Sequence, residues 1–150
     1  MPLDIFILIL NLASTWFMVG VIWFVQIVHY PLFGKTGTER FVEYQGSHQR
    51  LTTWVVAVPM LAEAATACLL VFNPPPVNIG LVLLAAGLLI IIWVSTALLQ
   101  VPCHDELTRG FNAGVHRQLV LTNWLRTICW TLRGILLCWF VAASILQAGI

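Results

Sequence analysis

Four apolar runs, Ile5–Val28, Leu51–Phe72, Val77–Val101 and Leu119–Leu146, take up most of this chain. A helix rises about 1.5 Å per residue, so each run is long enough to cross the hydrocarbon core of a bilayer, about 30 Å thick. Only 9% of the 150 residues are charged and 60% are hydrophobic, whereas an ordinary soluble domain carries about 25% charged residues. A soluble chain of this size has no interior large enough to hide that surface, so lipid has to act as its solvent. The expected fold is all-α: an integral membrane four-helix bundle forming a single domain over residues 1–150. A net charge of +1 offers no basic surface to a nucleic acid. The first run lacks a basic leader and is longer than a signal-peptide core of about 7–15 residues, so it reads as a retained helix. The four cysteines (Cys68, Cys103, Cys129 and Cys138) form no C-x-x-C pair and imply no disulfide framework.

The connections differ sharply in character. NPPPV, a break that cannot continue a helix, separates the second run from the third. The other two connections, HYPLFGKTGTERFVEYQGSHQR and PCHDELTRGFNAGVHRQ, are polar and carry Lys35, Arg40, Arg50, Arg109 and Arg117. By the positive-inside rule these two face the cytoplasm and both termini face outward, in a plasma or inner membrane. Tyr30-Pro31 is expected to break the first helix after His29. Helical pattern then resumes from Gly37, with Thr38 as a plausible N-cap, and runs into the second span despite Gly46. The last helix similarly begins from about Gly114, so the bundle projects a turn or more beyond the lipid.

All four histidines fall at one end of such a bundle. His29 closes the first span, His48 opens the second, His104 follows the third and His116 opens the fourth. At about 100° per residue, Asn11, Thr15, Gln26 and His29 share a face of the first helix. His48, Thr52, Pro59, Glu63 and Thr66 share a face of the second, and Thr96 and Gln100 precede His104, with Pro102 interrupting the extrapolation. His116, Asn123, Arg126, Trp130 and Arg133 fall on one arc of the fourth. Each apolar helix therefore carries a narrow polar stripe, and the simplest packing turns all four inward. Facing helices of a bundle commonly build metal and cofactor sites this way. The bland alternative is that short turns leave polar residues nowhere else to go, so a single histidine is more readily an interface or hydrogen-bonding residue.

Charge inside the spans is the second signal. Glu63, within MLAEAATA, costs a few kcal/mol unless it is paired or protonated. Measured from the histidine level, Glu63 lies about 22 Å deep, Arg126 about 15 Å and Arg133 about 25 Å. Either arginine can reach Glu63; the pair either fixes helix register or leaves Glu63 as a proton carrier. An arginine left over can hold an anion such as a propionate or phenolate. The absence of Glu-x-x-His argues against a carboxylate-bridged di-iron bundle, and the absence of H-E-x-x-H against a zinc protease. An imidazole-dominated set suits haem b or a transition metal, iron or copper and then zinc. Asp105 and Glu106 read as solvated loop residues. Most of the seven tryptophans suit an aromatic belt, while Trp130, on the polar stripe, suits a pocket wall. A weak internal repeat shows in HQRL at His48 and HRQL at His116.

WFVQIVHYPLF, the histidine near the start of the second span, P-x-H-D-x-L and NWLRTICWTLRG together resemble the anthrone-oxygenase-like family of small four-helix membrane proteins. That resemblance implies oxidation of anthrones to anthraquinones, with His29, His48, His104, Asn123, Arg126 and Arg133 around the site. A looser resemblance, to the HemJ-type protoporphyrinogen oxidases, implies haem. Those proteins rely on an intramembrane lysine, and the only lysine here is Lys35, in a connection.

The expectation is a membrane-embedded oxidoreductase for a hydrophobic aromatic or quinol-type substrate arriving from the bilayer. His29, His48, His104 and His116 hold the metal or haem, Arg126, Asn123 and Trp130 orient the substrate, Arg133 contacts the cofactor and Glu63 passes protons. The alternative is a non-catalytic membrane subunit, or a haem-binding partner, within a homo-oligomer or larger membrane complex.

Overall fold

The structure, a computed structural model, describes residues 2–37 and 40–148. Four helices, α1 (Leu3–Phe33), α2 (Phe41–Phe72), α3 (Ile79–Leu107) and α4 (Ala113–Ala148), form an all-α up-down bundle. Each is long and apolar enough to cross a membrane. Each helix packs on its chain neighbours and α4 closes onto α1, while the diagonal backbones stay apart, leaving the bundle axis to side chains. The seam between α2 and α3 is the loosest of the four. Trp54 (76% exposed), Val58 and Phe72 stand on the outer surface, as lipid-facing residues should.

The helices outrun the apolar spans, as the projection beyond the lipid requires. At about 1.5 Å per residue, the 32 residues of α2 extend far past a core about 30 Å thick. Its first residue is Phe41, after Arg40; Thr38, the proposed N-cap, lies outside the described residues. At α3 and α4 the caps are asparagines. Asn78 Oδ1 accepts from Gly80 N at 2.8 Å, and Asn112 Oδ1 accepts from Gly114 N at 2.9 Å. Gly110, at φ +151°, makes the turn between α3 and α4 in a conformation that favours glycine.

The expected break at Tyr30-Pro31 does not occur. α1 passes through Pro31, and α3 passes through Pro102, each by way of a π-helical turn just before the proline (Val25–His29 and Thr96–Gln100). A proline has no N–H for the carbonyl four residues back and its ring crowds that carbonyl. The wider turn relieves the crowding and lets the helix continue. As a result His104, Asp105 and Glu106 are helical rather than loop residues, although both acids are exposed as expected. The wide turns also carry Gln26 and Gln100 inward onto α4: Gln26 Nε2 donates to the Val120 carbonyl at 3.2 Å, and Gln100 Nε2 to Thr122 Oγ1 at 2.9 Å.

Three apolar layers stack along the axis. Phe33, Phe41, Cys103, Leu107 and Leu119 fill the histidine-bearing end. Met18, Ile22, Leu89, Ile92 and Trp130 fill the middle, and Leu8, Leu70, Val82, Leu137 and Phe140 fill the far end. Gly134 lets α4 approach α1: a β-carbon there would stand 3.2 Å from Cε2 of Trp16. Gly134→Val is expected to destabilise the bundle by about 1–3 kcal/mol through overpacking. Thermal unfolding in detergent checks this, and an unchanged midpoint would show that the Trp16 contact gives way.

Candidate functional site

The inward stripes resolve into two separate polar centres. The deeper one is built around Glu63 and Arg133, which are 0% and 1% exposed. Arg133 Nε donates to Glu63 Oε1 at 2.8 Å, so Arg133 rather than Arg126 is the partner of Glu63. Thr15 Oγ1 donates to Glu63 Oε1 at 2.6 Å and Trp130 Nε1 to Oε2 at 3.0 Å. Arg133 Nη2 donates to Asn11 Oδ1 at 2.9 Å, and Nη1 donates to the Ala85 carbonyl. Asn11 Nδ2 in turn donates to Thr66 Oγ1 at 2.7 Å and to the Glu63 carbonyl at 2.9 Å. Every oxygen of the carboxylate and every nitrogen of the guanidinium thus has a partner, and all four helices contribute. A buried ion pair holds only with its remaining hydrogen bonds filled, and here they are. Such a network ties all four helices together and suits a role in fixing helix register.

The second centre lies on the axis at the histidine-bearing end, where a cavity of about 170 Å³ opens between the middle and end layers. All four helices line it: Ile22 and Tyr30 from α1, His48 from α2, Gln100 and His104 from α3, Arg126 and Trp130 from α4. Its size is close to that of an apolar hole of about 150 Å³ that takes benzene. Its volume suits one substituted aromatic ring.

Arg126 gives the cavity its charge. Its guanidinium lies 5.5 Å from the centre of the Trp130 ring, and its Nη1 donates to Thr96 Oγ1 at 3.3 Å. No carboxylate pairs with it among the described residues, and its Nε is buried with no hydrogen-bond partner. Among the described residues, the other buried side-chain polar atoms without partners are Gln45 Oε1, Gln100 Oε1 and Asn123 Oδ1, all at this end of the bundle. Such atoms cost about 1–3 kcal/mol each and call for a partner. Asn123 itself is turned toward α1, its Nδ2 donating to Gln26 Oε1 at 2.8 Å, and does not line the cavity.

Three of the four histidines converge. The His29 and His48 rings are 4.4 Å apart, and the His48 and His104 rings 5.6 Å. Their nitrogens are largely committed to protein. His29 Nε2 is 2.8 Å from His48 Nδ1, which Thr52 Oγ1 also approaches at 3.1 Å. Gln45 Nε2 donates to His104 Nδ1 at 2.8 Å, so His104 Nε2 carries the proton and donates to Tyr30 Oη at 2.9 Å. That leaves the Tyr30 hydroxyl proton free for the cavity. His116 stands apart. Its Nε2 donates to the Tyr30 carbonyl at 2.7 Å and its ring packs against Phe33 and Phe111. Among the described residues, no three His, Cys, Asp or Glu side chains are arranged to hold a metal ion. The four histidines thus do not form one cluster: three converge and His116 stands apart.

Comparison with protein-family models, curated proteins and solved structures gives no match. The likeness to the anthrone oxygenases, and the looser one to the HemJ-type proteins, stand on the motifs quoted above.

Of the residues expected at the site, His48, His104, Arg126 and Trp130 line the cavity. His29 sits behind His48, while His116, Asn123, Glu63 and Arg133 make helix-to-helix hydrogen bonds and do not line the cavity. Tyr30 and Gln45 were not among the expected residues. Gln45 lies three positions before His48, on the same helical face, and that spacing was the available signal. Tyr30 was hidden by the assumption that the helix stopped there.

Proposed function

We propose that the chain is a membrane-embedded oxidoreductase that oxidises a one-ring hydroquinone-type substrate, with dioxygen as electron acceptor. The observation that carries this reading is Arg126, a cation without a carboxylate partner in an apolar, single-ring cavity that two histidines share. A guanidinium so placed favours an oxyanion over a neutral hydroxyl. A phenolate oxygen on Arg126 and a hydroxyl on Gln100 Oε1 would fill two of the unpartnered atoms, and Trp130 would face the ring.

The proton has a route. His48 lines the cavity and its Nε2 makes no protein hydrogen bond among the described residues. Burial and the neighbouring imidazoles hold His48 well below the ordinary histidine range, so Nε2 takes the proton of the substrate hydroxyl only as Arg126 stabilises the oxyanion that forms. In the tautomer with a proton on Nδ1, His48 can pass that proton on to His29. The electron-rich hydroquinone anion then gives two electrons and its second proton to dioxygen, and the first proton follows. Quinone and hydrogen peroxide result, so two electrons and two protons balance. Tyr30, oriented by His104, donates to the substrate oxygen. With the basic connections cytoplasmic, this chemistry sits near the inner face of a plasma or inner membrane.

Purified protein is expected to consume oxygen with a one-ring hydroquinone, and His48→Ala to lower kcat by about 10²–10⁴-fold. Equal rates in wild type and His48→Ala would overturn the proton route. An absorption spectrum before and after dithionite, with elemental analysis of the same sample, tests the expectation of haem or metal. A Soret band, or stoichiometric iron, copper or zinc, would replace this direct reaction with cofactor chemistry. Folded protein that neither binds nor oxidises the hydroquinone would favour the non-catalytic membrane subunit.

A further inference from the structure

Resting on that reading, we infer that the substrate carries a long apolar tail, which leaves the cavity sideways through a groove between α1 and α2. The groove has a volume of about 430 Å³ and is walled by Gly20, Phe24, Leu51 and Val55. Phe24, Leu51 and Val55 are 59%, 61% and 52% exposed, so the groove opens onto the lipid-facing surface. Groove and cavity are neighbours through shared walls: Val21, Val25, His48, Thr52 and Val56 line both.

Three features make this a tail site rather than a bare surface furrow. Its polar lining comes from His29, His48 and Thr52, the hydrogen-bonded cluster that adjoins the cavity. The rest of its lining is aliphatic or aromatic, which suits a hydrocarbon chain. Gly20 adds no side chain to the groove, and a β-carbon there would meet no atom within 4 Å. The cavity has room for a ring and little more, so any tail must leave it. A ring fixed against Arg126 lies beside the five residues that line both cavity and groove, and its tail would pass between their side chains. The substrate class is therefore a membrane-resident hydroquinone with an alkyl or isoprenoid chain, rather than a free small aromatic or a fused-ring molecule.

The test compares two probes in full-length protein, a methyl-substituted hydroquinone and the same ring with a decyl chain. Binding is read from tryptophan fluorescence in wild type, Gly20→Leu and Val55→Trp, the last obstructing the groove from α2. In wild type, the decyl probe should bind at least tenfold more tightly at equal membrane concentration. Each substitution should remove that advantage and leave the tail-less probe unchanged, which also separates the groove from simple partition into lipid. Equal affinity for both probes in wild type would overturn the inference, as would an advantage that survives both substitutions. If neither probe binds wild type, the single-ring cavity reading falls and this one falls with it. If only the tail-less probe binds, the cavity reading stands and the tail site does not.

Discussion

Arg133→Met is expected to cost about 3–5 kcal/mol, because it leaves Glu63 buried, charged and without its cation. For a chain of this length that corresponds to a fall of about 6–20 °C in the unfolding midpoint. The loss is not of one contact. Asn11 and the Ala85 carbonyl lose their donors at the same time, so α1 and α3 come loose from α4 together. Glu63→Gln should cost a similar amount, since it keeps the shape but leaves Arg133 buried without its anion and turns an amide NH2 toward a donor. In the Glu63→Leu, Arg133→Met double variant much of the stability should return, as both charges leave together. Thermal unfolding of the set in one detergent decides. If Arg133→Met melted with wild type, the network would be a consequence of the packing rather than its cause.

The second large effect comes from the other intramembrane arginine and has the opposite character. Arg126→Met is expected to leave stability unchanged or slightly raised, because it removes a desolvated cation with an unpartnered Nε and replaces it with a chain that packs on Trp130. Binding of a one-ring hydroquinone should fall by about 10–100-fold, the worth of a hydrogen bond to a charged group. Arg126→Lys should recover only part of this, since an ammonium lacks the planar fork and its stacking on the indole. Titration by tryptophan fluorescence, beside a melting curve of the same sample, separates the outcomes. A variant that melts early and binds normally would make Arg126 a structural residue like Arg133. Two arginines seven positions apart on one helix are thus predicted to divide stability and binding between them.

The inward stripes were legible because helical periodicity needs only a list of polar residues on an apolar background. Asn11, Thr15, Glu63, Thr66, Asn123 and Arg133 all point to the axis, as that period requires. Depth along the helices left both Arg126 and Arg133 within reach of Glu63, because a long flexible side chain spans the difference between them. The continuation through Pro31 and Pro102 was not legible. A proline says that one backbone bond is lost; whether the helix stops or widens depends on packing from the neighbouring helices. That single uncertainty concealed Tyr30 and the geometry of His104. His116 illustrates the converse limit. Its angle on the stripe was right, but its partner is a main-chain carbonyl of α1, and side-chain patterns do not reveal main-chain acceptors.

The ion pair that locks the bundle also sets an order of events during synthesis. Glu63 and Arg133 are separated by 70 positions in the chain. At about 5–20 residues per second, the ribosome needs about 4–14 s to reach the second after making the first. Through that interval the second helix carries an acid in search of a base, and the first three helices together contain no arginine or lysine within their apolar spans to answer it. Completion of the fourth helix therefore acts as a checkpoint: before it, the nascent protein carries an unmet charge; after it, the charge is closed from all sides.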